Sequence, residues 1–288
     1  MALLVKTYAK INLFLNVVSQ RPDGYHNIET VLQAIDLFDQ LQFSLSDALQ
    51  IQSNFDIALK DNLVYKAAAA LQLATGVTFG ACIKLEKNIP LAAGLGGGSS
   101  DAAATLLCLN KLWETNLSLE ELKKIGSPLG ADIAFFLGKQ PTALAKGIGD
   151  ELFSLSQNVD FWLIVAKPDF GVSAREAYDL YDKNPNKDGL VDNFTKSLAG
   201  SSVSKIASGL YNALEKPVME AYPKIKKLKE LFIKAGAIGA QMSGSGSAVF
   251  AITQNNVDAQ RIADEALKKG YQAFVLRPSN YTVKICQT

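Results

Sequence analysis

The stretch Pro90-Leu-Ala-Ala-Gly-Leu-Gly-Gly-Gly-Ser-Ser100 decides the reading of this chain. Gly94, Gly96, Gly97 and Gly98 occupy four of five consecutive positions, and Ser99 and Ser100 follow at what reads as the start of a helix. Glycines let successive backbone N–H groups turn toward one point, and a helix start adds its own free amides and its dipole. That combination suits a phosphate. A Walker A loop needs Gly-Lys-Ser/Thr at the helix entrance, whereas here Gly98 runs directly into Ser99. A dinucleotide fingerprint wants an acidic residue ending a second strand ~20 residues on. The chain instead enters a helix capped by Ser118-Leu-Glu-Glu121, so nicotinamide binding ranks second.

Around that loop the chain alternates between strand and helix patterns. Before it, Ala81 to Glu86 reads as a strand, and Asp61 to Leu73 as an Ala-rich helix capped by Asp61 and closed near Gly76. After it, a helix is expected from about Asp101 to Trp113, then the capped helix to about Gly126, then Pro128-Leu-Gly-Ala-Asp132 as a connector into the apolar Ile133 to Leu137. Near the start, Ile11, Leu13, Leu15 and Val17 alternate with Lys10, Asn12, Phe14 and Asn16, the pattern of a strand with one polar face. Arg21-Pro-Asp-Gly24 is turn chemistry that presents Tyr25 and His26, and residues 29 to 45 again read as strand.

The second half opens on a strand, Phe161 to Ala166. Lys183 to Gly209 reads as loop and short helix, and Pro217 to Lys234 as one amphipathic helix with a lysine-rich solvated face. A second small-residue loop, Ser243-Gly-Ser-Gly-Ser247, leads into a strand from Ala248 to Thr253, a helix to about Lys269 and a strand from Tyr271 to Leu276.

Composition narrows the chemistry. The 288 residues carry 29 basic and 28 acidic side chains, a net charge of +1, with no basic block, so neither nucleic acid nor a membrane surface is expected as a partner. A single histidine, His26, leaves no pair of His ligands for zinc and no choice of base for a Ser-His-Asp site. Three cysteines without a Cys-x-x-Cys pair, and no signal or membrane segment, point to a cytoplasmic protein.

Ala9-Lys-Ile-Asn-Leu13, the loop from Pro90 to Ser100 and Met242-Ser-Gly-Ser-Gly-Ser247 occur in the order of the three motifs of the GHMP kinase superfamily, which the chain resembles over essentially its whole length. Arg21-Pro-Asp-Gly-Tyr-His26 and Leu129-Gly-Ala-Asp132 make it similar to the branch that uses ATP to phosphorylate the 2-hydroxyl of a cytidine diphosphate methylerythritol in the non-mevalonate route to isoprenoid precursors.

The resemblance implies a two-lobed α/β (α+β) fold. A ribosomal-protein-S5-domain-2-like lobe would span residues 1–155 and a ferredoxin-like lobe 156–288, with the active site in the cleft between them and the protein a monomer or weak homodimer. It implies that Asp132 accepts the hydroxyl proton while Lys10 orients it and offsets charge. Taken singly, Lys10 reads equally as an edge-strand lysine and Asp132 as a helix cap.

By the same resemblance ATP lies along Pro90, Leu91, Ala92, Ala93, Gly94, Leu95, Gly96, Gly97, Gly98, Ser99 and Ser100. Asn12 lies beside Lys10, Tyr25 stacks on cytosine, His26 contacts its edge, and Tyr178, or else Tyr181, closes the stack. Ser243, Gly244, Ser245 and Gly246 close the phosphate region. Mg2+ is expected to be held by ATP phosphates and water, with Ser100 as the candidate protein ligand. One departure stands out: the superfamily usually has glycines at 92 and 93, and alanines make left-handed backbone there less accessible. A nucleotide-sensing relative without catalysis is the third reading, and the joint presence of Lys10 and Asp132 speaks against it.

Overall fold

The computed structural model describes residues 2–138, 140–185, 189–198, 200 and 202–286. Two long strands, β1 (Ala2–Gln20) and β2 (His26–Ser46), form one antiparallel hairpin whose register runs from Ala2 opposite Ser44 to Gln20 opposite His26. The Pro-Asp-Gly turn joins them, with Gly24 at φ 85 and the Gly24 N–H donating to the Arg21 carbonyl at 3.0 Å. β3 (Gln50–Ser53) and α1 (Leu63–Thr75) follow. The cap of α1 is Asn62, one residue past the expected Asp61, because its Oδ1 accepts from the Val64 N–H at 2.9 Å. Gly76 ends the helix in left-handed geometry, as expected.

β4 (Gly80–Glu86) leads through the Gly-rich loop into α2 (Gly97–Leu112). This helix begins four residues before the expected Asp101, so Gly97, Gly98, Ser99 and Ser100 form its first turn. Ala102, Ala103 and Ala104 let the helix lie at the centre of the first lobe, buried against α1, β1 and β2. Ser118 and Glu121 make the expected capping box of α3 (Leu119–Gly126). A 3-10 turn (Ser127–Leu129) brings the chain to α4 (Ile133–Leu137), whose Phe135 and Phe136 fill the lobe's core. β5 (Thr142–Lys146) pairs antiparallel with β2, and β6 (Glu151–Ser154) with β5. Among the described residues no strand after α2 pairs with β4, whose neighbours β2 and β3 both precede it, so the β-α-β crossover of a dinucleotide fold is not formed here.

The second half contains β7 (Trp162–Lys167), α5 (Ala174–Lys183), α6 (Val191–Leu198), α7 (Val203–Ser208) and the short β8 (Tyr211–Asn212). The single helix expected over 217–234 is two, α8 (Glu215–Ala221) and α9 (Pro223–Lys234). Proline at 223 pushes the residue before it out of helical geometry, and Tyr222 sits at φ −126, ψ 77. β9 (Gly239–Met242), β10 (Val249–Thr253), α10 (Asn256–Lys268) and β11 (Gln272–Leu276) complete a four-stranded antiparallel sheet in the order β11, β7, β10, β9. Strand and helix order here is that of a ferredoxin-like unit.

The sequence position 155 falls between the last strand of the first sheet's hairpin edge, β6, and the first strand of the second sheet, β7. The chain returns twice afterwards: β8 pairs parallel with Phe14 and Leu15, and β12 (Val283–Cys286) pairs antiparallel with Leu4 to Thr7. β1 therefore pairs with strands from both halves of the chain, and its middle, including the polar face read from the sequence, is buried, with α2 and α6 packed against it.

Candidate active site

The loop's shape follows from where its carbonyls go. Those of Ala92, Ala93, Gly94 and Leu95 accept hydrogen bonds from Val172 N, Ala248 N, Ser243 Oγ and Lys10 N at 3.1, 3.1, 3.0 and 2.9 Å. Ala93 and Leu95 bury their side chains in the core. With its acceptors consumed by the protein, the segment presents amides to an anion, and the first turn of α2 adds N–H groups that have no helical partner. Gly94 and Gly96 are left-handed, at φ 74 and 70. A Cβ on Gly94 would lie 2.0 Å from the Ser243 carbonyl oxygen, and one on Gly96 2.9 Å from the Phe136 ring.

Ala92 also takes left-handed geometry, at φ 49, so alanine there does not exclude the conformation. Gly171 lies so close that a Cβ on it would sit 2.4 Å from the Ala92 methyl. Pro90 and Leu91 lie at the loop's outer edge, with Leu91 exposed.

Lys10 and Asn12 project from the same face of β1, and the Lys10 ammonium donates to Asn12 Oδ1 at 2.8 Å. Asn12 is held in turn, its amide donating to Thr30 Oγ1 at 2.8 Å and that hydroxyl donating to the Phe14 carbonyl. The same ammonium lies 3.3 Å from Asp132 Oδ2, with the lysine side chain 5% and the aspartate side chain 35% exposed. Asp132 occupies the cap position of α4 yet makes no capping hydrogen bond. Its carboxylate faces Lys10 and remains open to solvent.

The third motif sits directly over this pair. A Cβ on Gly244 would be 3.0 Å from Asn12 Oδ1 and 3.4 Å from the Lys10 nitrogen. Ser245 Oγ and Gly246 belong to the same tight turn, in which the Gly246 N–H donates to the Ser243 carbonyl at 2.9 Å. Asn212 on β8, unsuspected from sequence, donates from its amide to the carbonyls of Met242 and Gly244 at 2.9 and 2.8 Å and so holds the turn to β1. Nothing in a lone Tyr-Asn dipeptide signals that role.

Tyr25 and His26 behave differently from each other. Tyr25 is 63% exposed at the tip of the hairpin, while His26 is buried. The His26 ring stacks on Tyr178 at 4.7 Å and 16°, and meets the edge of Tyr181 at 6.3 Å. Both tyrosines are on α5, so both sequence candidates converge on the histidine; Tyr181 lies deeper. Burial and the nearby Asp132 carboxylate raise the Tyr178 hydroxyl's pKa, keeping it protonated. A fourth group, Asp182, lies 2.8 Å from His26 Nε2.

Behind the loop lies a buried cluster the sequence reading missed. Lys87 donates to Asp39 and, at 2.8 Å, to Asp101, and Thr7 Oγ1 donates to Asp101 at 2.7 Å. Asp39 also accepts the N–H groups of Asn88 and Ile89, so the cluster ties β1, β2, the approach to the loop and α2 together. Burial pushes the Asp101 carboxyl up to about 7 against the pull of Lys87.

Among the described residues no group of three or more His, Cys, Asp or Glu side chains is placed to hold a metal ion. One buried atom here does fit an incoming polar partner: Ser100 Oγ, in the first turn of α2, has no hydrogen-bond partner among the described residues. No helix among the described residues is long and apolar enough to cross a membrane.

Comparison with known proteins agrees with this geometry. Residues 62–139 match the family described as GHMP kinases N terminal domain, and residues 194–272 match GHMP kinases C terminal. A 4-diphosphocytidyl-2-C-methyl-D-erythritol kinase of Thermodesulfovibrio yellowstonii is 43% identical over 282 residues, covering 96% of this chain and 97% of that one. One from Clostridioides difficile is 40% identical, covering 98% and 97%. A crystal structure of 4-(cytidine 5'-diphospho)-2C-methyl-D-erythritol kinase superposes with a TM-score of 0.80 at 32% identity, over 97% of this chain and all of that one. A homoserine kinase from Cytophaga hutchinsonii shares the fold, at 20% identity and a TM-score of 0.77 over 99% of this chain and 97% of that one. With a glycine loop, a Lys-Asp pair and a third motif in mutual contact, and with relatives this similar along its whole length, the chain belongs to the GHMP kinases and, among them, to the family of 4-diphosphocytidyl-2-C-methyl-D-erythritol kinases.

Proposed function

We propose that this chain transfers the γ-phosphoryl group of ATP to the 2-hydroxyl of 4-diphosphocytidyl-2-C-methyl-D-erythritol, a step toward isoprenoid precursors. The observation that carries the proposal is the Lys10 to Asp132 contact at 3.3 Å beside the Gly-rich loop. Asp132 takes the hydroxyl proton as the oxygen's electron pair forms the new bond to the γ-phosphorus. The bond from that phosphorus to the bridging oxygen breaks, and ADP departs with the pair. Since the transferred group is loosely bonded at the transition state, positioning and charge stabilisation outweigh base strength. Lys10 serves both needs: it aims the Asp132 carboxylate through their 3.3 Å contact, and its charge offsets that on the phosphoryl oxygens.

The phosphates would lie along residues 90–100, with amides of the first turn of α2 facing them. Mg2+, carried by the phosphates and water, would neutralise phosphate charge, and Ser100 Oγ is the residue that fits it or a phosphate oxygen. Tyr25 supplies an exposed ring for the cytosine and His26 an edge contact, with Tyr178 behind the histidine. We assign residues 1–155 to the nucleotide and catalytic lobe and 156–288 to the second lobe, and expect a cytoplasmic monomer or weak homodimer.

Product analysis tests the assignment. With ATP, Mg2+ and the cytidine substrate, a 2-phosphorylated product should accumulate, while mevalonate and homoserine should remain unmodified. Phosphorylation of either control in preference to the cytidine substrate would overturn it.

A further inference from the structure

His26 is held by two residues of α5, Tyr178 and Asp182. Asp182 lies on α5 four residues after Tyr178, hence on the same helix face. Its Oδ1 is 2.8 Å from His26 Nε2, and its Oδ2 accepts from Gln20 Nε2 at 3.3 Å. Gln20 and His26 stand opposite each other beside the turn of the β1–β2 hairpin. A single carboxylate from the second lobe therefore clasps both strands of the first. Stacking on Tyr178 sets the plane of the imidazole, and the bond to Asp182 sets its rotation within that plane.

The bond also decides where the ring carries its hydrogen. An ionised carboxylate only accepts, so the hydrogen in this contact is on Nε2. In the neutral ring Nδ1 is then a lone-pair acceptor, and it has no hydrogen-bond partner among the described residues. Cytosine presents a 4-amino donor where a uracil-like base presents a 4-carbonyl acceptor. An acceptor facing that position matches the first and opposes the second.

We propose that Asp182 is a positioning residue that sets base specificity: by keeping the hydrogen on His26 Nε2 it makes Nδ1 an acceptor selective for the 4-amino group of a cytidine nucleotide over its uridine counterpart. The inference rests on the substrate reading given above. Asp182→Asn is the informative substitution because Gln20 donates to the second oxygen. The introduced amide keeps its oxygen toward Gln20, turns its NH2 toward Nε2, and forces the ring's hydrogen onto Nδ1.

His26 is the only histidine in the chain, so two-bond 15N–1H correlation spectra of the full-length, substrate-free protein report its tautomer without assignment. At a pH where the ring is neutral, the wild type should carry the hydrogen on Nε2 and Asp182→Asn on Nδ1. A wild-type ring protonated on Nδ1 overturns the proposal, whether or not the variant folds. In turnover, the wild type should prefer the cytidine diphosphate substrate over its uridine counterpart by at least about 10-fold, the scale of one mispaired hydrogen bond. Asp182→Asn should cut that ratio by about 10-fold or more, with the change in KM, and Asp182→Glu should restore it. An unchanged ratio in a folded Asp182→Asn protein sinks the role of Asp182 and leaves the substrate reading standing. Failure of the wild type to phosphorylate either nucleotide sinks the substrate reading, and the tautomer measurement still judges Asp182.

Discussion

Asp132 sits where a helix cap belongs, yet its carboxylate makes no capping bond and instead faces the Lys10 ammonium at 3.3 Å. A residue placed to stabilise α4 would use its oxygens on the helix's own amides. Asp132→Asn should therefore leave folding nearly intact while lowering kcat by at least about 100-fold, the low end for a general base. Lys10→Ala should cost as much, and the double variant little more, because the two act as a unit. Steady-state kinetics with thermal melts on the same samples check this; near-normal kcat in either folded single variant removes that residue from the mechanism.

The two left-handed glycines of the loop should respond differently from Gly98. Alanine at Gly94 would drive a methyl to 2.0 Å from the Ser243 carbonyl oxygen, a backbone atom that cannot swing aside. At Gly98 the nearest atom is the Leu63 Cδ1 methyl, at 3.2 Å, and φ is not left-handed. Gly94→Ala should raise the KM for ATP by 10-fold or more, on the order of the 1 to 2 kcal/mol of left-handed strain plus displaced contacts. Gly98→Ala should stay within about threefold of wild type, because a flexible side chain can give way. ATP titration of both variants tests the contrast.

Asn212 reaches two carbonyls of the third motif from a strand that touches β1. Asn212→Asp places acceptors against those acceptors, so it should destabilise by about 1 to 3 kcal/mol and exceed Asn212→Ala. Denaturant unfolding ranks the two, and equal losses would mean the amide hydrogens are not what holds the turn.

Tyr25 is exposed, so its removal should not cost stability. Loss of base stacking, about 1 to 3 kcal/mol, should raise the KM for the cytidine substrate between about 5- and 150-fold. An unchanged KM in Tyr25→Ala rules out stacking.

Asp101 binds its proton more tightly folded, near pH 7, than unfolded, near 3.8. Between those values the folded state holds more protons, so this residue's contribution is full below about pH 4, declines as pH rises, and is flat above about 7. Asp101→Asn removes the titration; its single amide oxygen can still accept from Lys87, with its NH2 turned to the Thr7 hydroxyl, which can accept in place of donating. Its unfolding free energy relative to wild type should thus rise between pH 4 and 7, by up to about 1.4 kcal/mol per pH unit for one proton. Parallel curves for the two proteins would show that Asp101 stays ionised.

Much of the site was legible because it is built from local signals. A glycine run before a helix, a Pro-Asp-Gly turn and residues two apart on a strand each fix geometry within a few positions. That is why the loop, the hairpin, and the pairing of Lys10 with Asn12 could be read from the chain. Ends of elements were less legible where a neighbour decides them. Proline at 223 splits a helix whose hydrophobic spacing runs straight through it, and α2 starts inside the glycine run because the loop's carbonyls are taken by other segments.

What the sequence determined by itself was local: a glycine-rich loop at a helix start, a single histidine after a tight turn, and, through the family resemblance, a lysine and an aspartate expected to serve phosphoryl transfer. Only the tertiary structure decided which distant groups meet. Asn212 lies 200 residues from Asn12 in sequence, Asp182 lies 156 from His26, and Asp101 lies 94 from Thr7. A single buried polar side chain carries no periodicity and no motif. Its meaning comes from the partner that satisfies it, and the fold alone supplies that partner.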